Sequence, residues 1–254
     1  MTMEQSVLQN QLANFMECAY RLHEICKDKL EKCYGNTKIS LPVDIEKVVH
    51  DLGIKLVREN LNCGDEDEID LNIAWLGYEK AGDTATATIY VDMDEDTVNT
   101  DEDTDTSKTY SDMQKYAIAY ELGKMIIGEI NGRKVFQMST EEIKKWNMTS
   151  VPYSLPRLYA QWESFAYEMC AIFLLLPLDL FLDEFQSYIK AAKEHPVKMD
   201  KWIKYLGDKA GIPNYQLING YQYIKFCAYQ YYQEKYKISA ADKIEGTDYR
   251  DLYR

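Results

Sequence analysis

The sequence predicts an α+β protein whose helices pack on a small, mainly antiparallel sheet, and three observations carry that expectation. Apolar residues recur every three or four positions from Leu8 through Leu12, Phe15, Ala19, Leu22, Cys26 and Leu30 to Cys33, which is the stripe of one long amphipathic helix. Two β-rich runs, Asn72 to Tyr78 and Ala85 to Val91, are joined by Glu79 to Thr84 with Gly82 to supply a turn, the pattern of a hairpin. Met113 to Ile130 is again helical in period, with Met113, Tyr116, Ala117, Tyr120, Ile127 and Ile130 near one side and Gly128 toward the end. With 254 residues, 46% of them hydrophobic, the chain can bury a substantial core.

The remaining elements follow in order. The first helix leaves His23 off its stripe, where a surface or rim position is expected. Leu41-Pro42-Val43-Asp44 opens a second helix with Pro near the first turn and Ile45, Val48, Val49 and Leu52 inward, until Gly53 ends it. Ile54 to Val57 reads as a strand. Residues 92–112 are acidic, polar and of low complexity, so they read as a mobile surface insertion. Asp92, Asp94 and Asp96 imitate the start of a calcium loop there, but Thr97 stands where Gly is needed and Asp103 where a bidentate Glu is needed. Asn131 to Ala160 reads as an expanded connection, and Ala191 to Lys237 as two or three further helices. In the last of these, Tyr221, Ile224, Cys227 or Ala228, Tyr231 and Tyr232 form a stripe expected to be buried rather than a binding face. The organisation is then an N-terminal helix over 1–36, a domain over 37–186 that carries the insertion 92–112, a helical extension over 187–238 and a frayed tail over 239–254.

Composition limits the function. The net charge of −13 repels phosphate backbones and anionic membranes, so nucleic-acid binding would need a local basic patch. Lysines outnumber acids between Lys190 and Lys237, yet Gln222, Tyr223 and Lys225 alone do not make a recognition helix. Twenty-one tyrosines against seven phenylalanines point to many half-buried rings whose hydroxyls need partners. The start of the chain, Met1 to Asn14, is polar and has no apolar core of a signal peptide, which gives the expectation of a cytoplasmic protein. The longest apolar run, Ala171 to Leu182, is broken by Pro177 and Asp179 and reads as core rather than membrane span. The six cysteines include no C-x-x-C pair and no histidine at zinc-finger spacing, and are expected to be reduced thiols.

Within the helical run Met113 to Ile130 lies Ala119-Tyr120-Glu121-Leu122-Gly123-Lys124. This stretch resembles the R-F-x-x-A-H-E-L-G-H-x-x-x-G helix of the ImmA/IrrE-type zincin-like metallopeptidases, matched at Ala119, Glu121, Leu122, Gly123 and Gly128. A second stretch, Trp162-Glu163-Ser164-Phe165-Ala166-Tyr167-Glu168 leading to Leu174-Leu175-Leu176-Pro177, resembles the E-x-x-A-(N/D)-x-F-A-x-x-L-L-x-P segment of that family. Asp51 to Val57 is similar to its strand entry, so the resemblance covers Ile39 to Phe185. It implies a zincin-like fold with extra C-terminal helices. It further implies that Glu121 holds the place of the general base, that Tyr120 and Lys124 hold the places of the two zinc-binding histidines, and that Glu163, or in a shifted register Glu168, holds the third ligand position.

Those substitutions remove the chemistry. In H-E-x-x-H helices two imidazoles four residues apart share a face and converge on zinc, while the Glu reaches the bound water. A phenol, with a pKa of about 10, is a poor zinc ligand at neutral pH, and an ammonium offers no lone pair. His50 and His195 stand far from ligand spacing. The expectation is a catalytically degenerate member with no cofactor, zinc being the metal of the resembled family. Its partner would be a protein or peptide, a repressor or other regulator in a phage, mobile-element or stress setting. The alternatives are an active hydrolase with an atypical site and a regulator that contacts DNA through the C-terminal helices. For Lys124 two outcomes are open: pairing with Glu121 or Glu163 while the Tyr120 hydroxyl bonds a carboxylate, or extension to solvent.

Overall fold

A computed structural model describes residues 3–59, 61, 73–81, 84–92, 110–130, 157–194 and 198–236. Helix α1 spans Met3–Tyr34 and ends where Gly35, at φ 54°, turns its N–H back to the Glu31 carbonyl. Helix α2 spans Ile45–Asp51, and the Asp44 side chain caps it by accepting from the Lys47 N–H at 3.0 Å. Pro42 stands two residues before the cap, near the first turn as expected, and the Leu41–Pro42 bond is cis. Gly53 at φ 74° turns the chain into strand β1, Lys55–Glu59.

Strands β2, Ala74–Ala81, and β3, Thr84–Asp92, form the expected hairpin. The sheet order is β1-β3-β2, with β1 parallel to β3. Among the described residues one strand pair is antiparallel and one is parallel, so the sheet is mixed where a mainly antiparallel one was expected. The reason is that β1 pairs with the far strand of the hairpin, which runs in its own direction. Leu76 and Ile89 stand opposite each other and are buried, as are Ala87 and Val91, so alternate residues turn one face of the hairpin to the core.

Helix α3, Asp112–Ile130, starts with a reciprocal cap. Ser111 Oγ accepts from the Gln114 N–H, and Gln114 Oε1 accepts from the Ser111 N–H. The Gln114 amide also donates to the Asp92 carbonyl at 2.9 Å, which ties the start of α3 to the end of β3. The helix is buried at Tyr116, Ile118, Ala119, Leu122, Met125, Ile126 and Ile127, whereas Met113 is 44% exposed. The single apolar side drawn through Met113 and Ala117 is thus replaced by a broader one, because α3 packs against β2, β3, α2 and the next helix together. That next helix, α4, spans Arg157–Leu175, so Ala160 lies inside it and not in the connection.

Pro177 separates α4 from α5, Leu178–Glu194, and α6, Met199–Ala210, is joined to α7, Asn214–Tyr236, by a turn at Gly211, φ 68°. The tight turn read between Leu206 and Pro213 is this one. Tyr221, Ile224, Cys227, Ala228 and Tyr232 are buried, which makes the tyrosine stripe of α7 a core face. Phe181 and Phe185 of α5, Trp202 of α6 and Tyr221 of α7 interlock edge to face. Buried residues of α1, the sheet and α2 to α7 belong to one contiguous cluster.

His23 departs from its expected surface position and is 2% exposed. Its ring meets Phe173 of α4 and Tyr231 of α7 edge-on, because α1 packs against α4 and α7 over a face wider than the apolar stripe. Cys18, Cys26, Cys33, Cys170 and Cys227 are free thiols, and Cys63 lies outside the described residues. The same holds for 93–109, which include Asp94 and Asp96, for 131–156, for His195 and for the tail 239–254. Tyr110, at the C-terminal end of the acidic stretch, is packed at 6% exposure, with the Arg58 guanidinium 4.1 Å from its ring centroid. Among the described residues no single helix is long and apolar enough to cross a membrane.

Candidate functional site

The site is built where α3 passes the outer edge of β2 and crosses α4. In the hairpin the Asp92 N–H donates to the Ile73 carbonyl, so odd-numbered positions of β2 exchange ladder bonds with β3. The Leu76 N–H accordingly points to the open side of β2. Glu121 meets it there, its Oε2 accepting at 2.9 Å. Its other oxygen, Oε1, accepts from Lys124 Nζ at 2.6 Å, one helical turn along α3.

Both partners are sheltered, with side chains 5% and 15% exposed. Burial pushes the Glu121 acid above the usual carboxylate range, and the Lys124 charge, its hydrogen bond and the Leu76 N–H oppose that rise. Of the two outcomes open for Lys124, pairing with Glu121 is the one observed. The ammonium also lies 5.2 Å from the Tyr120 ring centroid.

Tyr120 packs edge to face on Tyr167 of α4, and its hydroxyl is in hydrogen-bond reach of the Ser164 side chain. Burial raises the phenol well above its ordinary value, and the Glu121 and Glu168 charges add to the rise. Glu168 is half-buried, and burial raises its acid as well. The side chain of Glu163, carried on α4, lies outside the described residues. Sequence reasoning missed Tyr116, although it precedes Tyr120 by one turn on the same face of α3; it is 6% exposed, and among the described residues its hydroxyl has no hydrogen-bond partner.

Gly123 brings the two helices together. A Cβ there would stand 2.9 Å from the Tyr167 carbonyl oxygen and 3.0 Å from Cys170 Cβ. His50 is exposed on α2, its ring nitrogen 3.3 Å from Asp51, and takes no part in the site.

The residues present do not fit a zinc ion. The Tyr120 phenol is held neutral, the Lys124 ammonium is engaged with the carboxylate that would activate water, and neither offers the imidazole lone pair that a tetrahedral site requires. Among the described residues no three His, Cys, Asp or Glu side chains converge as a metal-binding group. Comparison with protein-family models, with curated proteins and with solved structures finds no match to this chain. What stands is a mixed α+β fold with a small sheet, several helices and a buried ion pair at the junction of α3, β2 and α4.

Proposed function

We propose that the chain is a non-catalytic relative of the ImmA/IrrE-type zincin-like metallopeptidases that uses the surface around α3 and β2 to bind a protein or peptide. The observation that carries this reading is the contact of Lys124 Nζ with Glu121 Oε1 at 2.6 Å. A general base needs a free carboxylate oxygen beside an activated water. Here both oxygens of Glu121 are spoken for, one by the ammonium and one by the Leu76 N–H. An ion pair in this setting is a weak source of stability but neutralises a carboxylate left in the interior without a metal. The motif matches Ala119, Glu121, Leu122, Gly123 and Gly128 connect α3 to the regulatory peptidases, so the partner proposed is a repressor or similar regulator.

Restoring the lost ligands tests the ancestry and the loss together. Metal analysis after dialysis is expected to find no retained zinc in the native chain and about one equivalent in the Tyr120→His/Lys124→His variant. Stoichiometric zinc in the native protein, with a peptidase activity that a chelator abolishes, would overturn the reading. So would failure of the folded double variant to bind zinc.

A further inference from the structure

Helices α6 and α7 are joined by Gly211-Ile212-Pro213, and the corner they make is tightly packed. Gly211 takes φ 68°, and the Ile212 N–H donates to the Gly207 carbonyl at 2.9 Å. Gly207 has no room for a side chain: a Cβ there would stand 2.9 Å from the Ile212 carbonyl oxygen, 3.0 Å from Asn214 Oδ1 and 3.5 Å from Leu217 Cδ2. Leu206, Ala210, Ile212 and Leu217 are buried inside the corner. Two helices joined by so short a glycine-containing turn, the second packed over the first, have the form of a helix-turn-helix. Gly220 seats α7 on the body of the protein, since a Cβ on it would lie 2.5 Å from Ile172 Cδ1 of α4. The opposite side of α7 therefore faces outward. Tyr215 is 72% and Ile218 59% exposed, Asn219 and Gln222 are exposed as well, and their spacing puts all four on one helix face. Tyr223 packs instead on Phe165, ring centroids 4.7 Å apart, and Lys225 lies over the Tyr221 ring. Of Gln222, Tyr223 and Lys225, only Gln222 belongs to the outward face.

We propose that α6 and α7 bind duplex DNA, the outward face of α7 meeting base edges in the major groove and the lysines along α6 meeting a phosphate backbone. The side chains suit those two tasks. Asn219 and Gln222 each offer an amide that donates and accepts at once, the pairing that adenine presents in the major groove, and Ile218 is an apolar partner for a thymine methyl. Lys198 at the N-cap of α6, with Lys201 and Lys204 three and six residues on, forms an exposed edge, and among the described residues no carboxylate pairs with these ammonium groups. The first helix of such a motif is the one that crosses the backbone. Residues 198–225 hold five lysines against Asp200 and Asp208, a local positive excess on a chain whose net charge is −13. Lys209 is already engaged by Glu184 at 2.7 Å. Asp112 of α3 lies beside Gly211 and would repel a phosphate, which assigns the backbone contact to the lysine edge and not to the turn. The acidic chain as a whole opposes non-specific association, so base contacts must carry much of the affinity. Double-stranded RNA is disfavoured because its major groove is too deep and narrow for a helix to read. A protein partner would bury an apolar centre, whereas the apolar groups here, Tyr215 and Ile218, stand among amides. None of these residues takes part in the site around Glu121, so the inference is independent of the function proposed above.

The test is selection of short duplexes with a random centre on the full chain, in excess non-specific competitor DNA, followed by fluorescence anisotropy with the enriched duplex. Enrichment of a sequence containing A·T pairs is expected, and its affinity should fall with salt as for about three phosphate contacts. Lys201→Ala should weaken all duplexes alike and reduce the salt slope by about one. Asn219→Ala and Gln222→Ala should each weaken the selected duplex about fivefold or more and leave unselected duplexes unchanged. Both positions are exposed, and circular dichroism establishes that the variants fold. Absence of enrichment, or undiminished affinity of the folded Asn219→Ala/Gln222→Ala variant for the selected duplex, overturns the proposal. So does a preference for single strands over duplex. Self-association in sedimentation that Ile218→Asp abolishes, with no duplex bound, also overturns it and gives the face to a second copy of the chain. Failure of the histidine-restored variant to take zinc would sink the ancestry and leave this result standing.

Discussion

Gly123 faces the Tyr167 main-chain carbonyl so closely that a Cβ on it would sit 2.9 Å from the oxygen. This is the point at which α3 and α4 meet, and it sets how near the Tyr120 ring comes to Tyr167. Neither the carbonyl nor Cys170 Cβ, 3.0 Å away, is the free end of a flexible side chain, so an added methyl must push the helices apart. Gly123→Ala gains up to about 1 kcal/mol of helix propensity and incurs about 1–3 kcal/mol of overpacking. The expected outcome is a net loss of stability in urea denaturation. A variant as stable as the parent would show that the helices can separate at no cost.

Lys124→Met strands the Glu121 carboxylate in the interior. The loss expected is about 3–5 kcal/mol near neutral pH. Burial already holds the Glu121 acid above its unfolded value, so between the two values the folded chain carries the extra proton and stability falls as pH rises. Removing the ammonium, which opposes that rise, widens the interval. The variant's deficit relative to the parent should therefore grow as pH rises above the unfolded carboxylate range, read from denaturation midpoints at successive pH values. A deficit independent of pH would show that Glu121 does not titrate against Lys124. In a double-mutant cycle with Glu121→Gln, the two changes together should cost less than their sum.

His23 carries the opposite dependence. Burial first, then the Lys27 charge, lower it from 6.5 to about 4, with Asp179 opposing. A depressed folded value stabilises the neutral state above the unfolded pKa, and that stability is lost as pH falls from 6.5 through about 4. The loss is on the order of 3 kcal/mol. His23→Phe keeps a ring between Phe173 and Tyr231 and removes the titration. It should flatten the acid limb of the stability curve over that interval, and parallel curves for parent and variant would refute the assignment.

Much of the fold is written in local patterns. The apolar stripe of α1 through Ala19, Leu22, Cys26 and Leu30, the pairing of β2 with β3 and the turn at Gly211 are each a matter of short-range spacing and residue type, and such features survive without knowledge of the rest of the chain. So does the misfit of Tyr120 and Lys124 to zinc, since it follows from the lone pairs that a phenol and an ammonium have.

The partners were decided by the tertiary structure alone. Nothing in the order of residues says that Leu76 will offer its N–H to Glu121, 45 positions away, or that β1 will join β3 in parallel. Periodicity placed His23 at the rim of one helix, whereas packing of α1 against α4 and α7 enclosed it. The physical reason is common to these cases. Period and propensity are properties of a short segment, while burial, hydrogen-bond partner and charge balance depend on which distant segments converge, and a buried group must find its partner among them.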